Sequence, residues 1–232
     1  MKKFLLCVGL AMGMFSTADA HDVWLERGDR MYTLVYGHVG EPEPCESDKV
    51  KSIRAFFRSG KFLSQSPERV NGNVVLTPAS DVTMVAIEYD NGYWSRTEGI
   101  EWENQSKRYF ENVQESSHSI KFNKNLLAWT DQAKEPVGMM FEVVPMANPL
   151  ALDAEQRLNL QVLLRGRPLA DAVVEVHGDD AVYKTDRNGY VTVSVHGDNA
   201  LQHIAAYHRT PLSDDPDADE LSLSANLVFY TH

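Results

Sequence analysis

The sequence predicts an all-β protein of two β-sandwich domains, and three observations carry the prediction. Its apolar segments alternate with period two rather than 3.6. They are short and are separated by Asn-Gly pairs and other turn residues. No stretch combines helical periodicity with caps at both ends; Ser106 to Glu115 is the only helix candidate.

Taken in chain order, the first element is a leader. Lys2 and Lys3 precede the apolar run Phe4 to Phe15, and Ala18-Asp19-Ala20 supplies an A-x-A cleavage site, so residues 1–20 read as a secretory signal peptide cut after Ala20. The run is shorter than the roughly 20 apolar residues that span a bilayer. A periplasmic protein without direct membrane insertion is expected. In "RMYTLVYGHVGE", Tyr32, Leu34, Tyr36 and His38 share one face of a strand. Val82 to Tyr89 leads through Asp90-Asn91-Gly92 into Tyr93-Trp94, the pattern of a hairpin. The segment Val143 to Pro149 sets two prolines among small residues and divides an N-terminal β domain, 21–145, from a C-terminal Ig-like domain, 146–232.

Five strand-like segments follow: Leu158 to Leu164, Pro168 to Val176, Tyr183 to Val195, Gln202 to His208 and Leu221 to Tyr230. Val191, Val193 and Val195 alternate with Tyr190, Thr192 and Ser194 directly after Asp186-Arg187-Asn188-Gly189, a hairpin-turn signal. Ser222, Ser224 and Asn226 alternate with Leu221, Leu223, Ala225, Leu227 and Phe229, which predicts a strand with one buried and one wetted face. The tract "SDDPDADE" lacks the spacing of a calcium loop and is expected to be solvated.

Charge narrows the partners. The formal net charge is −11, and removal of residues 1–20, with two lysines and one aspartate, takes it one unit further negative. Nucleic acid is a poor partner for such a surface and small cations are better ones. Cys45 alone of the two cysteines follows the leader, so no intramolecular disulfide is expected. In the acidic loop "EPEPCESD" it is read as a bystander. No G-x-S-x-G elbow, H-E-x-x-H or Gly-rich phosphate loop occurs. Trp24, Trp94, Trp102 and Trp129 are read as packing residues rather than a sugar platform.

The histidines carry the chemistry. If cleavage follows Ala20, His21 presents a free α-amino group and an imidazole, two nitrogens that close a chelate ring on one transition metal. The amine, with a pKa of about 7.7–8.0, loses its proton readily near neutrality. His38 ends its strand between Gly37 and Gly40; His208 ends the run in "QHIAAYHRT", on the face of Ile204 and Ala206. Both are candidate partners for His21 on a rim, whereas His203 falls on the opposite face. Either alone also reads as an ordinary hydrogen-bonded histidine.

The motifs "AHDVWLE", "YGHVGEPEP", "NGYWSRTEG", "FEVVPMANPL", "RGRPLADAVVEV", "TDRNGYVTV", "AAYHRT" and "LSANLVF" follow in order the pattern of a known family. From 21 to 230 the chain resembles a bacterial periplasmic family of largely unknown function, whose members are commonly described as the periplasmic component of nickel or cobalt uptake systems. The resemblance implies an exported two-domain β protein whose second half, carried by "GRPLADAVVEV" and "TDRNGYVTV", is similar to carboxypeptidase-regulatory or transthyretin-like sandwiches. It maps the family's leading histidine onto His21, its "GH" onto Gly37-His38 and the histidine before the acidic loop onto His208. Cys45 departs from the pattern, standing where an aromatic residue is expected.

The expected function is therefore non-enzymatic: binding of a divalent transition metal, nickel or cobalt with copper or zinc as further candidates, through His21, His38 and His208, in support of an inner-membrane uptake transporter. Two other classes use the same features. A copper histidine-brace enzyme acting oxidatively on polysaccharide needs the same nitrogens and an exposed aromatic face. A non-catalytic sandwich that binds a protein partner needs none of them.

Overall fold

A computed structural model describes residues 21–29, 31–99, 101–196 and 201–231, and there the chain is strand and loop with short 3-10 turns. The expected leader lies outside the described residues. Seventeen strands occur among them. The first nine are β1 (Asp22–Arg27), β2 (Tyr32–His38), β3 (Glu41–Pro44), β4 (Val50–Phe57), β5 (Phe62–Gln65), β6 (Glu68–Val70), β7 (Asn73–Leu76), β8 (Val82–Thr97) and β9 (Val113–Leu126). After these come β10 (Phe141–Pro145), β11 (Arg157–Leu164), β12 (Arg167–Pro168), β13 (Val173–Val176), β14 (Val182–Lys184), β15 (Tyr190–Ser194), β16 (Leu201–Pro211) and β17 (Glu220–Tyr230).

An eight-stranded central sheet, ordered β14-β13-β16-β17-β9-β8-β4-β5, draws strands from both sides of the Val143–Pro149 segment. Its two halves meet where β17 pairs with β9 in parallel, Ala225 opposite Phe122; every other ladder in it is antiparallel. A five-stranded sheet, β1-β2-β7-β6 with β3 on β2, covers one face of the β4–β8–β9 half. A four-stranded sheet, β10-β11-β12 with β15 on β11, covers the other face.

Strand alternation explains why the central sheet has two cores. On β8, Val85, Ile87 and Tyr89 join Val23, Leu25, Leu34 and Val74 under the five-stranded sheet, while Met84 and Ala86 join Phe122, Phe141, Leu160, Ile204 and Leu227 under the four-stranded one. A fully buried side chain of this size contributes about 1.5–3 kcal/mol, so both faces of these strands hold the layers together. The layer contacts also contain a buried ion pair: Lys124 Nζ donates to Glu142 Oε1 at 2.6 Å, tying β9 to β10.

Four expectations are corrected. Asp90-Asn91-Gly92 is no hairpin turn but a bulge inside the continuous strand β8, with the register against β9 slipping between Asp90 and Gly92. Gly92 takes φ +80° and its N–H is held by Asp90 Oδ1, so the same residues that tolerate a turn here add one residue to a ladder. Ser106 to Glu115 is a single 3-10 turn, Lys107–Tyr109, running into β9. The turn at Asn188-Gly189 joins no hairpin, because β14 pairs with β13 and β15 with β11; it carries the chain from one sheet to another. The tract Ser213 to Glu220 is clasped rather than freely solvated, for Asp217 accepts from Ser106 Oγ at 2.6 Å and pairs with Arg108, and Asp219 accepts from Lys107 Nζ at 2.6 Å.

Candidate functional site

β1 is an edge strand, and its outer side is where the polar residues of β17 and β9 become intelligible. Asn226, Ser224, Lys121, Asn123 and Asn125 project from the central sheet toward β1 and are buried, so the face of β17 expected to be wetted is covered. Asn226 Nδ2 donates to the Val23 carbonyl at 3.1 Å, and the Leu25 N–H donates to Asn125 Oδ1 at 3.1 Å. An edge strand presents unpaired backbone groups, and a buried unpaired group is costly, so these amides satisfy what no neighbouring strand does.

This clamp fixes the position of His21. β1 and β2 pair antiparallel with Asp22 opposite Gly37, which brings His21 and His38 face to face one step further out. Their ring centroids lie 4.4 Å apart. Tyr36 stacks beneath His21 at 5.1 Å with the planes 8° apart, and its hydroxyl accepts from Asn91 Nδ2 at 3.1 Å. Burial pushes the Tyr36 phenol up to about 12, which keeps it neutral. Gly37, at φ +123°, makes the close approach possible: a Cβ there would meet the Glu41 carbonyl at 2.9 Å and stand 3.8 Å from the His21 ring.

On the other side of β1, Asp22 is 4% exposed, and its Oδ2 accepts from the Tyr207 hydroxyl at 3.1 Å. Its Oδ1 is buried without a hydrogen-bond partner. His203 Nε2 stands 3.8 Å from Oδ2 and 3.2 Å from Asn226 Nδ2, with Trp24 edge-on at 5.6 Å. Burial holds the His203 imidazole below its ordinary value, with the Asp22 charge opposing. Lys121, also buried, is lowered by desolvation and supported by the same carboxylate.

The structure thus brings His21 and His38 together and sets His208 apart. His208 alternates with His203 on β16 and faces the four-stranded sheet, its ring 6.2 Å from Phe141 and its Nε2 3.0 Å from Thr210 Oγ1. The histidine of β16 on the His21 side is His203. The period-two pattern already placed His203 with Tyr207, but nothing in the sequence says which face of β16 meets β1. Cys45 is buried beside Tyr89, and burial pushes its thiol up to about 12. Trp24 is fully buried, whereas Trp102 is exposed beneath Arg96. Among the described residues no group of three or more His, Cys, Asp or Glu side chains is placed to hold a metal, and no helix is long and apolar enough to cross a membrane.

Comparison with known proteins adds two findings. The family described as "Domain of unknown function (DUF4198)" matches residues 18–199. An uncharacterized protein of Haemophilus influenzae (strain ATCC 51907 / DSM 11121 / KW20 / Rd) is 29% identical over 191 residues, covering 82% of this chain and 81% of that one.

Proposed function

The chain belongs to the family described as a domain of unknown function, DUF4198, and for it we propose the role of a periplasmic binding protein for a divalent transition metal, nickel or cobalt, that supplies an uptake transporter in the inner membrane. One observation carries the reading: the His21 and His38 rings stand 4.4 Å apart at the end of the β1–β2 ladder. Removal of the leader after Ala20 frees the His21 α-amine. Amine and imidazole then chelate from one residue while His38 adds a third nitrogen, so three donors come from two residues, a set suited to nickel, cobalt, copper and zinc. The bound ion would bring Lewis acidity to this edge, and the protein's part is to hold the two imidazoles in place.

His208, facing the opposite side of β16, is left out of the donor set. Nickel and cobalt rest on the family resemblance; by donor chemistry alone copper binds at least as tightly. Calorimetric titration with Ni²⁺, Co²⁺, Cu²⁺ and Zn²⁺ tests the proposal on protein beginning at His21, on the same protein with one alanine added before it, and on His38→Ala. Binding is expected to be lost on extension and weakened at least tenfold, about 1.4 kcal/mol, by His38→Ala. Equal binding by all three overturns the site. Unchanged nickel and cobalt accumulation in cells lacking the protein overturns the transport role.

A further inference from the structure

Beside the histidine pair the five-stranded sheet stops, and the face of β13, β16 and β17 beyond it is open. A cleft of about 840 Å³ lies there, lined among others by His38, Val39, His177, Asp179, Ala205 and Tyr207. The volume suits a molecule of several non-hydrogen atoms rather than a bare ion.

The acceptors in the cleft are unequal. Asp179 is committed, since its Oδ1 accepts from the Ala181 N–H and its Oδ2 from the Tyr183 hydroxyl. Of the two cations that line the cleft, Arg209 donates to Glu220 at 2.9 Å and Lys184 is exposed on β14. Of the other carboxylates that line the cleft, Asp171 and Asp180 are exposed, which leaves two less open to water. Asp22, 4% exposed in the wall, uses Oδ2 for Tyr207 and leaves Oδ1 with no donor. Glu175 lies on β13 between Val182 and Ala205, and its carboxylate makes no side-chain hydrogen bond among the described residues. Burial raises the Glu175 carboxyl above its ordinary value, and the nearby Asp22 charge adds to the rise. Ionised carboxylates only accept hydrogen bonds, and two of them sharing a half-closed site are stabilised by a cation that brings its own N–H donors.

We propose that the cleft between Asp22, Glu175 and Tyr207 binds a small organic cation carrying an ammonium or guanidinium group, its N–H donors directed at the two carboxylates. The proposal goes beyond the metal reading and stands without it, because its acceptors are not the donors of the histidine pair.

The test is calorimetric titration of the purified protein, stripped of metal by chelator, with agmatine and with spermidine, and with tetramethylammonium as a cation that has charge but no N–H. Agmatine or spermidine is expected to bind with Kd below about 100 μM and at least tenfold weaker in Glu175→Gln, while tetramethylammonium binds at least tenfold more weakly. Far-ultraviolet circular dichroism confirms that the variant folds; Tyr207→Phe serves as a second probe of the same carboxylate pair if Glu175→Gln does not. No binding of either amine, equal binding by tetramethylammonium, or affinity indifferent to Glu175→Gln overturns the proposal. None of these outcomes bears on metal binding at His21.

Discussion

Lys124→Met offers the sharpest test of how the layers are joined. Lys124 and Glu142 are 0% and 1% exposed in their side chains, and besides the lysine Glu142 accepts from the backbone N–H groups of Val137, Gly138 and Met139 at 2.8, 3.2 and 3.3 Å. Methionine fills the aliphatic volume of the lysine but leaves the carboxylate buried without its cation. Breaking such a pair costs about 3–5 kcal/mol, and in a chain of this size each kcal/mol lowers Tm by about 2–4 °C. The expected fall is therefore roughly 6–20 °C. Lys124→Met/Glu142→Gln removes the stranded charge while its amide oxygen still accepts from the backbone, so the double variant is expected to recover at least about 1 kcal/mol relative to the sum of the single changes. Urea unfolding followed by circular dichroism gives all four values of the cycle. A loss below about 1 kcal/mol in Lys124→Met, or strict additivity, would falsify the claim that this pair joins the central and four-stranded sheets.

Three further outcomes are expected. Asn226→Ala, which strands the Val23 carbonyl, should cost about 1–3 kcal/mol and speed amide exchange in β1 before it affects β10 or β11; uniform exchange would mean that β1 is held by other contacts. Burial holds the His203 imidazole below its ordinary value, so the unfolded chain takes up a proton that the folded chain refuses. Stability from this source is complete above the unfolded pKa of about 6.5 and declines as pH falls below it, and His203→Gln should flatten the change in urea midpoint between pH 7.5 and 5.5. With its thiol pushed up to about 12 and its side chain buried, Cys45 should stay unmodified by an aromatic disulfide reagent at pH 8 and react at once in urea; prompt reaction of the native protein would contradict its packing beside Tyr89.

The strands were legible wherever the alternation was local. Leu221 to Phe229 and Val191 to Ser194 occupy the strands their period-two pattern predicts, and His21 and His38, chosen at an expected mature start and a strand end, face each other. Pairing between distant segments was not legible. The parallel match of β17 with β9 joins residues that share no sequence signal, and it is this match that buries Ser224 and Asn226. For the same reason the sequence favoured His208 over His203: only the packing of β1 onto one face of β16 selects between the two, and it selects the face of His203 and Tyr207. Asn91-Gly92 misled because positive φ serves a bulge as well as a turn.

The hydrogen bond from Asn226 to Val23 spans 203 residues of chain. Long-range pairings of this kind form late, since the loop they close must be ordered first. A chain still lacking β17 keeps its first strand paired with β2 and bonded to Asn125 of β9, but leaves the Val23 carbonyl unanswered. The end of β1 that carries His21 is thus held in part by the last described strand, and a truncation that never touches His21 would slacken the grip there.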